Sequence, residues 1–191
     1  MYQGNERGIA EPTSVNVNSF IRGFAPLPGE VGYILCEGDI VTVSLGVHVD
    51  GYTVLSSQTV HVQSSPSPAV GPVGDAVCAL HFAANGIINT LSTGTLAQFQ
   101  VLVNEAAETF GVAIVQGSVL RRIRRFLIGQ STIEELSSKV LDFTSPTQDF
   151  PIEPGEVYVL DLAFSTGTGE VPPLPTFRFP SPKLTLLTFV E

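Results

Sequence analysis

The chain has 191 residues, enough for one domain with a sizeable core, and carries nine basic against eighteen acidic side chains, a net charge of −9. That acidic balance repels phosphate, so the overall field disfavours non-specific nucleic-acid binding. No apolar run approaches the ~20 residues of a spanning helix, MYQGNERGIAEP has no signal-peptide core, and Cys36 and Cys78 have neither metal-site spacing nor disulfide-scaffold density. The expectation is a soluble chain with no membrane partner, in a reducing compartment, the cytoplasm and/or nucleus.

Residues 1–30 are rich in Gly, Pro and Asn, with short extended pieces around Val15 to Ile21 and a turn at Pro26 to Glu30. The strongest local signal follows, GDIVTVSLGVHVDGYTVLSSQTVHV from Gly38 to Val62. Alternation puts Val41, Val43, Leu45, Val47 and Val49 on one face and Thr42, Ser44, Gly46 and His48 on the other. Asp50-Gly51 is a favoured two-residue hairpin turn, because both central positions need φ > 0. Such a turn sets Ser44 opposite Ser57, Gly46 opposite Leu55 and His48 opposite Thr53. One side of the hairpin is a greasy wall and the other a small polar floor.

Residues 63–73, QSSPSPAVGPV, read as a loop, and two helices follow. Val77, Leu80, Ala84, Ile87 and Leu91 form one apolar stripe. Thr95 with Gln98 matches a capping box, ahead of a second stripe of Phe99, Val103, Ala106 and Phe110 that Gly111 stops. Both stripes are expected to face the core. A strand is expected at Val112 to Val115. Arg121, Arg122, Arg124 and Arg125 then hold four of the nine basic side chains. They are either a local anion or RNA contact or an exposed edge paired with nearby carboxylates. Thr132 with Glu135, ahead of Ile133, Leu136 and Val140, predicts a short helix. Gly155 to Ser165 reads as one buried strand, and Leu184 to Val190 as a last apolar strand.

Three blocks in order, RGIAEPTSVNVNSFIRGFAPL, GDIVTVSLGVHVDGY and GEVYVLDLAFSTGTGE, resemble the methionine aminopeptidase (pita-bread) family. The resemblance is nearest to its non-catalytic branch of proliferation-associated, ErbB-receptor-binding proteins and fungal ribosome-export relatives. It implies an α/β (α+β) fold, a mainly antiparallel curved sheet with covering helices. The chain is short for the family, which implies a single reduced or truncated domain over residues 1–191, able to use a partner or self-association (a homodimer) to cover its sheet.

In active relatives a substrate-assisting histidine stands near the end of the first block; here that position is Gly23. The two hairpin aspartates that bind metal fall on Ser44 and Leu55, and the metal-binding histidine on or near Arg121. Only Asp161 keeps an acid, where the family has a glutamate; Glu191 does not match the last ligand. A dinuclear site needs carboxylates to neutralise two hard dications, so the resemblance implies no metal, no cofactor and no metallopeptidase activity. The histidines do not rebuild a site. His48 and His61 lie eight residues apart across the ladder, roughly 26 Å at ~3.3 Å per residue, and His81 lies on a predicted helix. The chain also has no P-loop, GxSxG, CxxC or HExxH, and Ser44, Ser56 and Ser57 lack an identifiable base.

Two functional readings follow. One is a pseudoenzyme acting as a binding protein, on the large ribosomal subunit or another RNA or protein partner, through Arg121, Arg122, Arg124 and Arg125. The other is a metal-free remodelled cleft that holds a small molecule or catalyses a non-peptidase reaction, lined by Ser44, His48, Thr53, Leu55, Ser57 and Asp161.

Overall fold

The computed structural model describes residues 6–21, 24–25, 29, 32–65, 67–123, 139–145 and 149–171. The first sheet holds β1 (Arg7–Val17), β2 (Ile40–Val49) and β3 (Tyr52–His61), in the order β1-β2-β3 and antiparallel throughout. The hairpin forms in the expected register: Ser44 pairs with Ser57, Gly46 with Leu55 and His48 with Thr53. Its turn has φ of 51° at Asp50 and 81° at Gly51, the twist that matches two right-twisted strands. Where short extended pieces were expected near Val15, β1 is one strand of 11 residues. Register shifts between Ile9 and Glu11 and between Glu11 and Ser14 absorb its irregular residues, Pro12 among them.

Burial on this sheet is opposite to what its polarity alone suggests. On the polar side Ser14, Asn16 and Thr42 are buried. On the apolar side Leu45, Val47 and Val49 are exposed, as are Ile9, Val15, Tyr52, Val54 and Val60 on the flanking strands. Only at one end, at Val17 and Val41, is the apolar side covered.

Helix α1 (Gly71–Thr90) begins inside the predicted loop, because Pro72 in the first turn gives up an N–H that has no helical partner anyway. Thr95 closes the predicted capping box with Gln98 at the start of α2 (Leu96–Phe110), and Gly111 ends that helix in the left-handed conformation at φ 63°. From the two stripes Leu80, Ala84, Ile87, Phe99, Val103 and Ala106 are buried in the main core, with Leu91 and Phe110 packed at its margin.

Two further small sheets complete that core. β4 (Ala113–Ile114) pairs with β8 (Phe164–Ser165), and β5 (Val119–Ile123) lies between β6 (Val140–Asp142) and β7 (Val157–Asp161). Leu120, Leu141, Tyr158, Leu160, Leu162 and Phe164 bring these strands against the helices. Two expectations are corrected here. The single strand at 155–165 is two, broken at Leu162–Ala163, so that β7 joins one sheet and β8 the other. The buried Ser118 hydroxyl makes that break possible: it accepts from the Ala163 N–H at 3.1 Å and donates to the Ala163 carbonyl at 3.3 Å. Val140, expected to end a helix, opens β6. The rest of that predicted helix, and the strand expected at Leu184 to Val190, lie outside the described residues.

Candidate functional site

The polar floor is a ladder of hydroxyl rungs. Thr42 Oγ1 and Thr59 Oγ1 are 2.8 Å apart, and Ser44 Oγ and Ser57 Oγ 2.7 Å. Each rung joins directly opposed residues, whose Cβ atoms come close enough for short side chains to meet. Asn16, fully buried on β1, extends the floor: its Nδ2 donates to Ser14 Oγ at 3.2 Å, and its Oδ1 accepts from the Phe24 N–H at 3.0 Å. That bond ties the segment after β1 back onto the sheet. Asn16 is a floor residue outside the hairpin, and its signal was the period-two spacing of Ser14, Asn16 and Asn18; Thr59 follows from the hairpin register, which sets it opposite Thr42.

Leu55 fills the next row. A Cβ built on Gly46 would stand 2.6 Å from Leu55 Cδ2 and 2.9 Å from the Glu11 backbone nitrogen, so glycine is required for that close approach. His48 lies over Gly8 in the row beyond, where a Cβ on Gly8 would come 2.6 Å from His48 Nε2. Its Nδ1 is buried without a hydrogen-bond partner. His61, eight positions from His48's partner Thr53, sits at the opposite end of the ladder, where Nδ1 meets Gln63 Nε2 at 2.7 Å.

Asp161 belongs to a different sheet, at the end of β7 opposite Val119, and is buried. The proposed pocket therefore draws Ser44, His48, Thr53, Leu55 and Ser57 from one sheet and Asp161 from another. At the base of the hairpin, Asp39 is held below the usual carboxylate range by the Cys36 backbone N–H, then the Asn18 amide and the Tyr33 hydroxyl, against an opposing effect of burial. This carboxylate is structural: it caps the turn that launches β2, and Asn18 Oδ1 accepts from the Ile40 N–H at 2.9 Å.

The two described members of the arginine cluster do not share one surface. Arg121 and Arg122 are successive on β5, so they point to opposite sides of the strand. Arg121 is exposed. Arg122 has its side chain 10% exposed and pairs with Glu156, so of the two expected readings this member takes the carboxylate-paired one and not the anion contact. Lys139 Nζ reaches both Glu156 oxygens at 2.8 and 2.9 Å, and the Tyr158 hydroxyl donates at 2.8 Å. Burial alone would raise the Glu156 pKa. The bonds from Lys139, Arg122, Tyr158 and the Glu153 N–H outweigh it and hold the carboxyl far below its ordinary range. The same arrangement pushes the Tyr158 phenol up, by burial first and then by its bond to Glu156. Arg124, Arg125 and Gly23 lie outside the described residues.

The chain is similar to known proteins. A fission yeast (Schizosaccharomyces pombe) protein named "Probable metalloprotease arx1" is 41% identical over 147 residues, covering 69% of this chain and 35% of its own length. The Candida albicans protein of that name is 33% identical, over 87% of this chain and 40% of its own. "Proliferation-associated protein A" of Dictyostelium discoideum is 33% identical, over 86% and 42%. Among solved structures a thermophilic Arx1 superposes with a TM-score of 0.73 at 18% identity, over 92% of this chain and 53% of that one. The methionine aminopeptidase of Thermotoga maritima gives 0.59 at 17% identity, over 91% and 63%. The chain belongs to the methionine aminopeptidase-like, pita-bread family. No family model matches it. It spans 35% to 42% of the length of these three curated relatives.

A family site can be tested against these residues. The first aspartate position holds a hydroxyl bonded to its neighbour, Ser44 to Ser57, and the second holds Leu55, which has no donor atom. Among the described residues no three His, Cys, Asp or Glu side chains gather as a metal-holding group. This donor set does not fit two hard dications. Among the same residues, no helix is long and apolar enough to cross a membrane.

Proposed function

We propose that this methionine aminopeptidase-like chain is a non-catalytic binding protein that associates with the large ribosomal subunit during its assembly, in the nucleus or cytoplasm. The observation that carries the first half is the content of the two hairpin positions. Peptidase chemistry of this family needs paired carboxylates on the hairpin, and here a Ser44–Ser57 hydroxyl pair and an aliphatic Leu55 stand there. The second half rests on the resemblance to ribosome-export relatives and on the exposed Arg121. Several relatives are named as probable metalloproteases, and that name describes those proteins.

The experiment is co-sedimentation of the purified chain with large ribosomal subunits at low and high salt. Binding is expected to fall steeply with salt. It is expected to drop further with Arg121→Ala, Arg124→Ala and Arg125→Ala, leaving Arg122 in place because that residue supports the fold. No binding at low salt removes the ribosomal reading.

A second reading is favoured by one atom. His48 Nδ1 is buried on the polar floor without a partner, and a bound small molecule with a donor or acceptor there would satisfy it. A ligand-induced rise in Tm that His48→Phe abolishes supports that reading.

A further inference from the structure

We propose that Gln63 makes the connection from β3 to α1 a proton-operated latch, closed while His61 is neutral and released when its ring takes up a proton. His61, Gln63 and Ser67 make up the latch. The Ser67 N–H and the Ser67 hydroxyl both bond to Gln63 Oε1, at 3.2 and 3.0 Å, and Gln63 Nε2 lies 2.7 Å from His61 Nδ1. A backbone N–H can only donate, so the Gln63 atom facing Ser67 must be the carboxamide oxygen. The other branch of the amide is then an NH₂ group, which also only donates. His61 Nδ1 therefore accepts, and the neutral ring carries its proton on Nε2.

Protonation removes that acceptor. Nδ1–H would meet the Gln63 NH₂ group, donor against donor at 2.7 Å. Turning the amide over gives His61 the oxygen and presents the NH₂ group to Ser67. The Ser67 hydroxyl can rotate to accept from it, but the Ser67 N–H cannot reverse its role and loses its bond. One proton on His61 is thus exchanged for one backbone bond at Ser67. What that bond holds is the approach to α1, whose N-cap, Val70, supplies no side-chain bond. On the helix side Ala69 packs so closely that a Cβ on Gly74 would stand 2.6 Å from the Ala69 carbonyl oxygen. On the strand side the Ser64 hydroxyl donates to Glu37 at 2.6 Å. Ser67 lies between these two anchors, so its release loosens the lead into the helix.

The neighbouring carboxyls do not operate the latch. Glu37 is held below its ordinary range by the Ser64 hydroxyl and N–H, and Asp39 by the Cys36 N–H first, so both stay ionised where an imidazole changes charge. Neither bonds the His61 ring, and among the described residues no other carboxylate does.

The test is NMR of the full chain labelled with nitrogen-15, titrated from about pH 8 to 5, the range in which histidine changes charge. At the alkaline end the His61 ring is expected to carry its proton on Nε2. As pH falls, the Ser67 amide proton should move upfield on the same curve as the His61 ring, and His61→Phe should leave it still. Gln63→Glu separates this coupling from a general loosening in acid. A carboxylate accepts at both oxygens, so one holds Ser67 and the other holds protonated His61, and the Ser67 amide should then stay bonded across the titration. The ring signals of His48 and His81 report in each variant that the fold is intact. A neutral His61 protonated on Nδ1, a Ser67 amide that ignores the His61 curve, or a Gln63→Glu chain that follows the parent's curve each overturns the proposal.

Discussion

Asn18 shows how much of the site depends on residues with no chemistry to perform. It holds a left-handed backbone at φ 54°, a conformation Asn tolerates better than other side-chain-bearing residues, while its amide bridges Asp39 and the Ile40 N–H. Asn18→Ala is expected to cost about 2 kcal/mol, readable in urea titration, from two lost bonds and a strained backbone. Ser44 and Leu55 give the residue-scale prediction about metal. Adding millimolar Co²⁺ or Mn²⁺ should leave Tm within about 1 °C, since a hydroxyl pair and an aliphatic group hold neither ion. A rise of several degrees would show that other residues of the chain bind it. These substitutions were readable in the sequence because they fall inside a long motif. The partner of Arg122 was not, because Glu156 lies 34 residues further on and only the fold brings them together.

At the scale of the element, the hairpin was legible nearly to the residue. A period of two fixes which side chains share a face, and Asp-Gly fixes where the chain reverses. Gly51→Ala should therefore destabilise by about 1 kcal/mol, measured by thermal melting, because the left-handed turn penalises a Cβ. Which face is covered could not be read, since burial depends on what packs there and not on alternation. The break between β7 and β8 was hidden for a related reason: an uninterrupted apolar run carries no mark of the point where it changes sheets. Helix α2 was legible because capping and periodicity agree, whereas α1, with no side-chain cap, showed only its periodicity; Thr95→Ala should cost about 1 kcal/mol.

At the scale of the whole molecule, the ion-paired cluster makes stability depend on pH. Glu156 has its pKa lowered on folding, so its contribution is complete above the unfolded glutamate pKa of about 4.3 and is lost as pH falls below it. Tyr158 is shifted upward, so its neutral form supports the fold up to an unfolded pKa of about 10, with loss above. A stability plateau from about pH 5 to 9 is expected in denaturant titrations. Glu156→Gln should lower it by about 2 kcal/mol by stranding Arg122 and Lys139, and should flatten its acid edge. An unchanged acid edge would show that other carboxylates set it. The Ser118 hydroxyl couples the two small sheets at this same scale. It takes the place of a strand partner at the residue where the chain leaves one sheet for the other, while the backbone carbonyl of Ser118 accepts from the Phe143 N–H at 3.0 Å. The amides of Ala163 and Phe143 should therefore both be protected from exchange with solvent deuterium. Ser118→Ala removes the hydroxyl and leaves the backbone carbonyl, so it should speed exchange at Ala163 more than at Phe143, turning a rigid joint into a swivel.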